Sequence, residues 1–478
     1  MNAITEAPLL PRADGATLTE QLARRFADRI GQRLLPPGAR LPSVRACAQR
    51  HRVSASTVVG AYDLLQAQGL VEARPQRGFF VRDAVAAAPR SLTSHPGLLP
   101  TMPVLPAPVD ATALIRSMFQ AQGGRLAPGM GTLPEDWLDA GLLQRALRRV
   151  SSPAAAAGWL RYGDPAGDAS LRNALVLRLA DLGIRAGAAQ IVTTVGATHA
   201  LDIIGRTLLR PGDAVLVDEP GWAVEFARLT RAGMRLLPVP RGADGPDLAV
   251  MEALLREHRP RLYVTVSVLH NPTGCSLSPA AAHQVLRLAE AHDLTIVEDD
   301  TYAWLAPPHA TRLAQLDGLR RTVYVSGFSK ILTPQWRIGY LAAPQALAER
   351  CIDTKLLGTL STPGPLEQAL ASCLEQGSLR RHAERVVARL DAARARTERL
   401  VRDAGFHFVT PPQGLFGWID VGADTERLAQ ALLDEGWLTA PGALFHATPR
   451  PTSLMRVNFA TAQDARFWRR LRALADAT

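Results

Sequence analysis

The chain has 478 residues, 47% of them apolar and 21% charged, with a formal net charge of +10. That is long and apolar enough for two or three domains with sizeable cores, which excludes an unfolded chain. No charged-then-apolar leader or apolar run of membrane-spanning length is present, since Arg, Asp or Pro breaks the apolar stretches every few residues, so a cytoplasmic protein is expected. The four cysteines, Cys47, Cys275, Cys351 and Cys373, show no CxxC spacing and no neighbouring histidine in a ligand pattern. They are read as reduced packing residues, with no disulfide framework and no metal site.

In chain order, the first 82 residues hold 12 arginines against 6 carboxylates, so this end should seek a polyanion. After a tail over 1–17, Leu22, Phe26, Ile30 and Leu34 recur at helical spacing until Pro36, Pro37 and Gly38 stop the run. A second short helix fits Pro42 to Arg50. Ser54 is a good N-cap for a third, with Val58, Tyr62 and Leu65 on one face and Gly69 beyond its end. VEARPQRGFFV then predicts two short strands around a turn at Pro75 to Gly78, with Arg74 and Arg77 at its tip. Three helices and a basic hairpin over 18–82 describe a winged helix-turn-helix, whose third helix enters the major groove of double-stranded DNA.

The segment 83–110 is expected to be a linker: its first 26 residues contain six prolines and five alanines, a composition that makes a semi-rigid tether rather than a core. In the remainder, 111–478, the runs IVTTV, AVLV, RLLPV, LYVTVSV, TIVE, TVYV and IGYLAA alternate with amphipathic stretches. That alternation predicts an α/β domain with a mainly parallel sheet over about 160–343, followed by a smaller subdomain over about 344–478.

Lysine is almost absent: of 54 basic side chains only Lys330 and Lys355 are lysines. A lysine amine can lose its proton and condense with an aldehyde, which a guanidinium cannot, so Lys330 in YVSGFSK is the candidate Schiff-base residue. Lys355, in CIDTKLLGTL, is expected on the surface or in a helix pairing. Ligands of such sheets bind beyond the carboxyl ends of the strands. There the sequence places Gly196, Ala197 and Thr198 opening a helix, suited to a phosphate, and Trp222 in DEPGW, an aromatic surface for stacking. It also places Asn271 in HNPTG, before a proline open to the cis form, and Asp299 with Tyr302 in EDDTY. Ser329 and Arg337 add a hydroxyl and a cation beside Lys330. One ligand would use all of these groups: pyridoxal 5′-phosphate, held by Lys330 as an aldimine with a carboxylate at its pyridinium nitrogen.

Two resemblances sharpen this reading. LPPGARLPSVRACAQRHRVSASTVVGAYDLLQAQGLVEARPQRGFFV resembles the DNA-binding domain of GntR-type bacterial regulators. That likeness implies DNA contacts from Arg45, Ser54, Ser56 and Thr57 around the recognition helix, and from Arg74, Arg77 and Gly78 in the wing. The order GATHAL, DEPGW, HNPTG, EDDTYAWL, SGFSK, WRIGY and MRVNFA resembles fold type I, class I aminotransferases over about 129–475. This implies that Asp299 pairs with the pyridine nitrogen, that Asn271 and Tyr302 contact the phenolic oxygen, and that Trp222 stacks on the ring. It further implies phosphate contacts from Ala197, Thr198, Ser329 and Arg337, a phosphate contact from Tyr162 of a neighbouring subunit, and a carboxylate-gripping role for Arg456. The position three before the lysine, usually Ser or Thr, is Gly327 here, so the phosphate cup lacks one hydroxyl.

Together, head, tether and body are similar to the MocR group of transcription regulators. The resemblance implies a homodimeric DNA-binding regulator that senses pyridoxal phosphate or an amine or amino-acid effector, with the loops near Pro128–Trp137 and Pro441–Phe445 choosing the effector. An active aminotransferase carrying a DNA-binding appendage is the alternative, since Lys330, Asp299, Tyr302 and Arg456 are all present. A constitutive DNA-binding dimer with a vestigial site is a third.

Overall fold

The computed structural model describes residues 16–31, 35, 37–74, 77–82, 127–151 and 157–477. The expected linker, the first residues of the expected body and residues 75 and 76 of the wing turn lie outside the described residues. The chain divides into two units, Met1–Arg125 and Leu126–Thr478.

The first unit consists of helices Leu18–Gly31, Val44–His51 and Ala55–Ala67, then strands β1 (Val71–Arg74) and β2 (Gly78–Val81). The second helix begins later than its apolar pattern suggests because the Ser43 hydroxyl accepts the amide of Ala46, fixing Ser43 as N-cap. The third begins where expected, with the Ser54 hydroxyl accepting the Thr57 amide at 3.1 Å. Leu22, Phe26, Cys47, Val58, Tyr62 and Leu65 are buried together. The Tyr62 ring meets Phe26 edge-on at 5.6 Å, and its hydroxyl reaches the Pro42 carbonyl at 2.9 Å, tying the third helix to the start of the second. The hairpin gains a third partner invisible in its own sequence: Arg40 bridges to Phe80, and the Leu41 amide donates to Phe79.

In the second unit all seven apolar runs are strands: β3 (Ile191–Thr194), β4 (Ala214–Glu219), β5 (Arg235–Pro240), β6 (Leu262–Thr265), β7 (Thr295–Asp299), β8 (Thr322–Gly327) and β9 (Gly339–Ala342). They form one sheet in the order β3-β9-β8-β7-β6-β4-β5. β9 is antiparallel to both its neighbours, and the other pairings are parallel. Helices on both faces bury it, which is why its inner strands read as unbroken apolar runs. A second sheet, β10 (His407–Phe408), β11 (Phe416–Asp420), β13 (Leu454–Asn458) and β12 (Ala440–Pro441) in that order, forms the smaller subdomain. Its β13 places Arg456 opposite Trp418 and Ala440. No helix among the described residues is long and apolar enough to cross a membrane.

Three glycines let the helix Ala197–Leu208 begin against the sheet. Gly339 of β9 pairs with Gly327 of β8, and a Cβ on Gly339 would stand 2.5 Å from the Gly196 carbonyl carbon and 2.6 Å from the Ala197 nitrogen. Gly196 itself has φ +83. Gly339→Ala is therefore expected to push the helix start off the sheet, at a cost of about 1–3 kcal/mol from overpacking. Urea unfolding of the full chain measures it; an unchanged midpoint would contradict the packing described.

Candidate functional site

β7 ends in three consecutive carboxylates, and strand alternation sends them to opposite faces. Glu298 accepts the amides of Leu313 and Ala314 at 2.7 and 2.8 Å, holding the start of the helix Leu313–Asp317. Asp300 pairs with Arg312 at 2.6 Å and accepts the Tyr324 hydroxyl at 2.8 Å. Asp299, between them, faces a cleft it shares with Trp222, Glu225, Thr265 and His270. Its Oδ1 accepts the amide and hydroxyl of Thr301, whereas Oδ2 receives no donor from the described residues. Burial pushes its carboxyl up to about 7, with Thr301 opposing the shift and Glu225 and Asp300 adding to it.

Trp222 stands at the N-cap of the helix Ala223–Arg231 and is half-buried. Tyr302 is buried, meets Phe416 edge-on at 5.5 Å, and has a phenol raised above its ordinary value by burial. Asn271 is 5% exposed, and its bond to Pro272 is cis.

At the opposite side of β7 the helix Ala197–Leu208 opens with Gly196 as N-cap and no side-chain cap. The amides of Ala197 and Thr198 find no acceptor among the described residues. Arg337 leans over this end, donating to the Ser329 hydroxyl at 3.0 Å and the Val195 carbonyl at 3.2 Å. Free helix-start amides, a guanidinium and hydroxyls make an anion cup. A Cβ on Gly327 would meet nothing closer than 3.4 Å, so sterics do not account for the missing hydroxyl.

Lys330 is half-buried and donates to the Gly131 carbonyl at 2.7 Å. Desolvation, then the charges of Arg456 and Arg337, pull its amine down to about 8 against the opposing pull of Asp299. Arg456 is 4% exposed, with one nitrogen on Asn271 Oδ1 at 2.8 Å and another on the Gly129 carbonyl at 2.7 Å. Its guanidinium lies 4.4 Å from the Phe416 centroid and 4.9 Å from that of Phe445. Burial lowers it to about 10.

The structure thus links Lys330, Asp299, Tyr302, Asn271 and Arg456 through hydrogen bonds and mutual charge effects, with Trp222 sharing the cleft of Asp299 and with Ala197, Thr198, Ser329 and Arg337 at the anion cup. Tyr162 is not in that group: it is 88% exposed. The expectation of a surface position for Lys355 is corrected. Its helix, Gln345–Leu356, packs on the sheet's helical layer, and the residue is 0% exposed. The amine donates to the Pro165 carbonyl at 2.7 Å, and burial lowers it to about 8 with Glu367 opposing. Sequence reasoning also missed the network under Trp222. Asp218 there accepts Arg241 at 3.0 Å, Thr265 at 2.7 Å and Tyr263 at 2.5 Å, while burial holds the adjacent His270 well below the ordinary imidazole range. Asp218 and His270 are the first residues of motifs already singled out, DEPGW and HNPTG, and that position was the available signal.

In the first unit, Arg45 and Arg77 are exposed. The hydroxyls of Ser54, Ser56 and Thr57 meet at the start of the third helix, with Ser54 at 2.8 Å from each of the other two. Arg74 is turned back onto Glu72 at 2.8 Å and over the Phe80 ring. Gly78 has φ +97, and the exposed Arg40, which the sequence reading passed over, lies beside it.

A family model for aminotransferase class I and II matches residues 129–474, and one for bacterial regulatory proteins of the gntR family matches residues 18–81. The chain belongs to the MocR group of GntR-type regulators. It is 31% identical over 458 residues to the HTH-type transcriptional regulator YdcR of Escherichia coli K12, covering 92% of this chain and 94% of that one. It is also 31% identical to the HTH-type transcriptional regulator TauR of Rhodobacter capsulatus, covering 91% of each. Among solved structures, a multiple substrate aminotransferase from Thermococcus profundus superposes with a TM-score of 0.68 at 25% identity, over 76% of this chain and 93% of that one. This MocR-group chain is accordingly a transcription regulator with an aminotransferase-like domain.

Two measurements probe the site's electrostatics. With a folded-state pKa near 7 against about 4 unfolded, the folded protein binds the extra proton between those values, so Asp299 makes the ligand-free fold less stable as pH rises from about 4 to 7. Asp299→Asn is expected to stabilise the ligand-free protein at pH 8 by about 1–3 kcal/mol while weakening cofactor binding; a destabilised variant would refute the placement of this carboxylate. The rate at which an amine-acylating reagent modifies Lys330, followed by mass spectrometry, should rise about tenfold per pH unit and level off above about 8. A profile still climbing at pH 10 would mean an unshifted amine.

Proposed function

We propose that the chain is a cytoplasmic, homodimeric regulator of transcription whose body binds pyridoxal 5′-phosphate through Lys330 and senses an amine or amino-acid effector, changing the DNA occupancy of its winged head. One observation carries the effector reading. Of three buried arginines in the body, Arg241 is paired with Asp218 at 3.0 Å and Arg312 with Asp300 at 2.6 Å, but Arg456 has no carboxylate partner among the described residues. Its Nε has no acceptor among the described residues, as is also true of Arg241 Nε and Nη2 and of Arg312 Nη2, so the missing carboxylate is what sets Arg456 apart. A buried cation left this way suits a carboxylate brought by a ligand.

The residues present fit the cofactor. Asp299 Oδ2 stands free for a protonated ring nitrogen, Trp222 offers a face for stacking, and Asn271 with Tyr302 would take the phenolic oxygen. Ala197, Thr198, Ser329 and Arg337 would hold the phosphate. Bound there, pyridoxal phosphate supplies an aldehyde for an amine and an electron-withdrawing ring. The lowered pKa of Lys330 keeps a share of its amine neutral near physiological pH, and Arg456 orients the effector by its carboxylate. Tyr162, with Leu160 beside it at the same 88% exposure and Leu357 at 90%, supports a second copy of the chain as its cover. In the head, Arg45, Ser54, Ser56 and Thr57 would meet double-stranded operator DNA, flanked by Arg74, Arg77 and Gly78.

Turnover as an aminotransferase is the second reading, favoured by the retention of Lys330, Asp299, Tyr302 and Arg456. The two part in a single experiment on the full chain, using DNA fragments that the protein selects from a random pool. Sensing predicts that DNA affinity shifts about 5- to 150-fold when pyridoxal phosphate and one amine or amino acid are added together, and that Lys330→Ala abolishes the shift. An unaltered response in that variant would sink the sensing model. Loss of the visible cofactor band that a 2-oxo acid restores would establish turnover.

A further inference from the structure

The two cations that a ligand would seek are already engaged by the chain's own backbone. Four consecutive carbonyls, from Gly129 to Thr132, each accept a hydrogen bond from a side chain of the site. Gly129 takes Arg456 at 2.7 Å and Gly131 takes Lys330 at 2.7 Å, while Met130 and Thr132 take the two protons of Asn458 Nδ2 at 2.9 and 2.8 Å. The chain here runs through a turn at 128–129 and a bend at 131–132, with the Met130 amide on the Ala127 carbonyl at 3.0 Å, and this strap presents alternate carbonyls to the site's cations and to a single asparagine. Its near end is pinned to the smaller subdomain, where the Asn458 amide donates to Pro128 and the Gly129 amide to Leu438.

We propose that residues 128–132 are an internal occupant competing with the ligand for Arg456 and Lys330, and that its displacement transmits site occupancy toward the head. The proposal rests on the reading of Arg456 as the ligand's carboxylate anchor. A carboxylate offers two charged acceptors to the guanidinium where Gly129 offers one neutral carbonyl, so the ligand wins that exchange. A ligand that takes the Lys330 amine likewise deprives Gly131 of its donor. Of its side-chain partners the strap then keeps Asn458, beside the backbone bond of Gly129 to Leu438, which makes Asn458 its positioning residue. In sequence the strap begins three residues after Arg125, where the first unit ends, so its release moves the start of the body's described chain. A coupling of this kind needs no contact between the two units: it needs a segment whose two arrangements the ligand distinguishes.

Gly129 gives a way to dislodge the strap without removing a side chain from the site. A Cβ there would stand 2.4 Å from the Ala440 nitrogen and 2.4 Å from the Thr439 carbonyl carbon, both backbone atoms. The probe is N-(5′-phosphopyridoxyl)-L-leucine, which carries the ring, the phosphate and a carboxylate; pyridoxamine 5′-phosphate, lacking the carboxylate, is the control. In the full-length wild type, the probe is expected to speed amide hydrogen exchange of peptides spanning 128–132 at least tenfold, and the control to speed it less. Gly129→Ala is expected to bind the probe about tenfold tighter, the worth of one hydrogen bond to a charged group, and to lose the probe-induced change in DNA affinity. If the probe binds and exchange at 128–132 stays unchanged or slows, the strap proposal is overturned whether or not the variant folds. Wild-type probe binding with an intact DNA response in Gly129→Ala overturns it too. Failure of the probe to bind the wild type at all overturns the cofactor reading and the strap with it.

Discussion

The candidate site is arranged around a guanidinium held out of water with no carboxylate partner among the described residues. Arg456 sits on β13 between two aromatic rings, and its two engaged nitrogens meet an amide oxygen and a backbone carbonyl. Neutral acceptors soften the desolvation of a buried cation but do not cancel it, and removing one partner of a buried pair typically costs about 3–5 kcal/mol. Arg241 and Arg312, equally buried, show what the fold does when a cation is purely structural: each is given an aspartate. The consequence reaches Lys330, whose amine is pulled down to about 8 by burial first and by Arg456's charge next. The same site buries Asp299 at a raised pKa with one oxygen unused. Two cations and an acid that influence one another's charge define the complement of the proposed ligand more sharply than any single residue does.

Much of this was legible in the sequence, for physical reasons. Strands covered by helices on both faces are apolar along their whole length, so the seven runs could be read directly. Their ends could be read because Pro, Gly, Asn and Asp punctuate the turns where the functional groups lie. The direction of β9 was not legible: it follows from the short connection after β8, which holds no helix long enough for a parallel crossover. Most of the smaller subdomain's sheet escaped too, because two-residue strands such as His407–Phe408 and Ala440–Pro441 carry no periodicity.

Within the site, motif residues were legible and their supports were not. Asp218 and Arg241 are joined across 23 positions, Lys330 and Gly131 across 199, and nothing in a one-dimensional pattern announces such pairings. Lys355 shows the same limit from the other side. Rarity singles out both lysines equally, yet one amine borders the cleft while the other is wholly buried, holding the Pro165 carbonyl three residues after Tyr162. Burial, not composition, separates their roles. Backbone carbonyls are the extreme case, since residues 129–132 act through atoms that every residue type has.

The energetics of Arg456 also bear on how a regulator of this architecture could work. A ligand moves a conformational equilibrium only by its difference in affinity for the two states, and useful couplings are about 1–3 kcal/mol. A neutral carbonyl standing in for a carboxylate at a buried guanidinium leaves a difference at least of that order, because charge-assisted hydrogen bonds are roughly twice as strong as neutral ones. In the proposed sensor the signal is stored as an electrostatic deficit at one arginine, which a ligand with the right charge would release on arrival. A catalyst would gain nothing from spending that difference on moving its own backbone, since only interactions stronger in the transition state raise its rate. A sensor needs that expenditure, because the displaced backbone is its output.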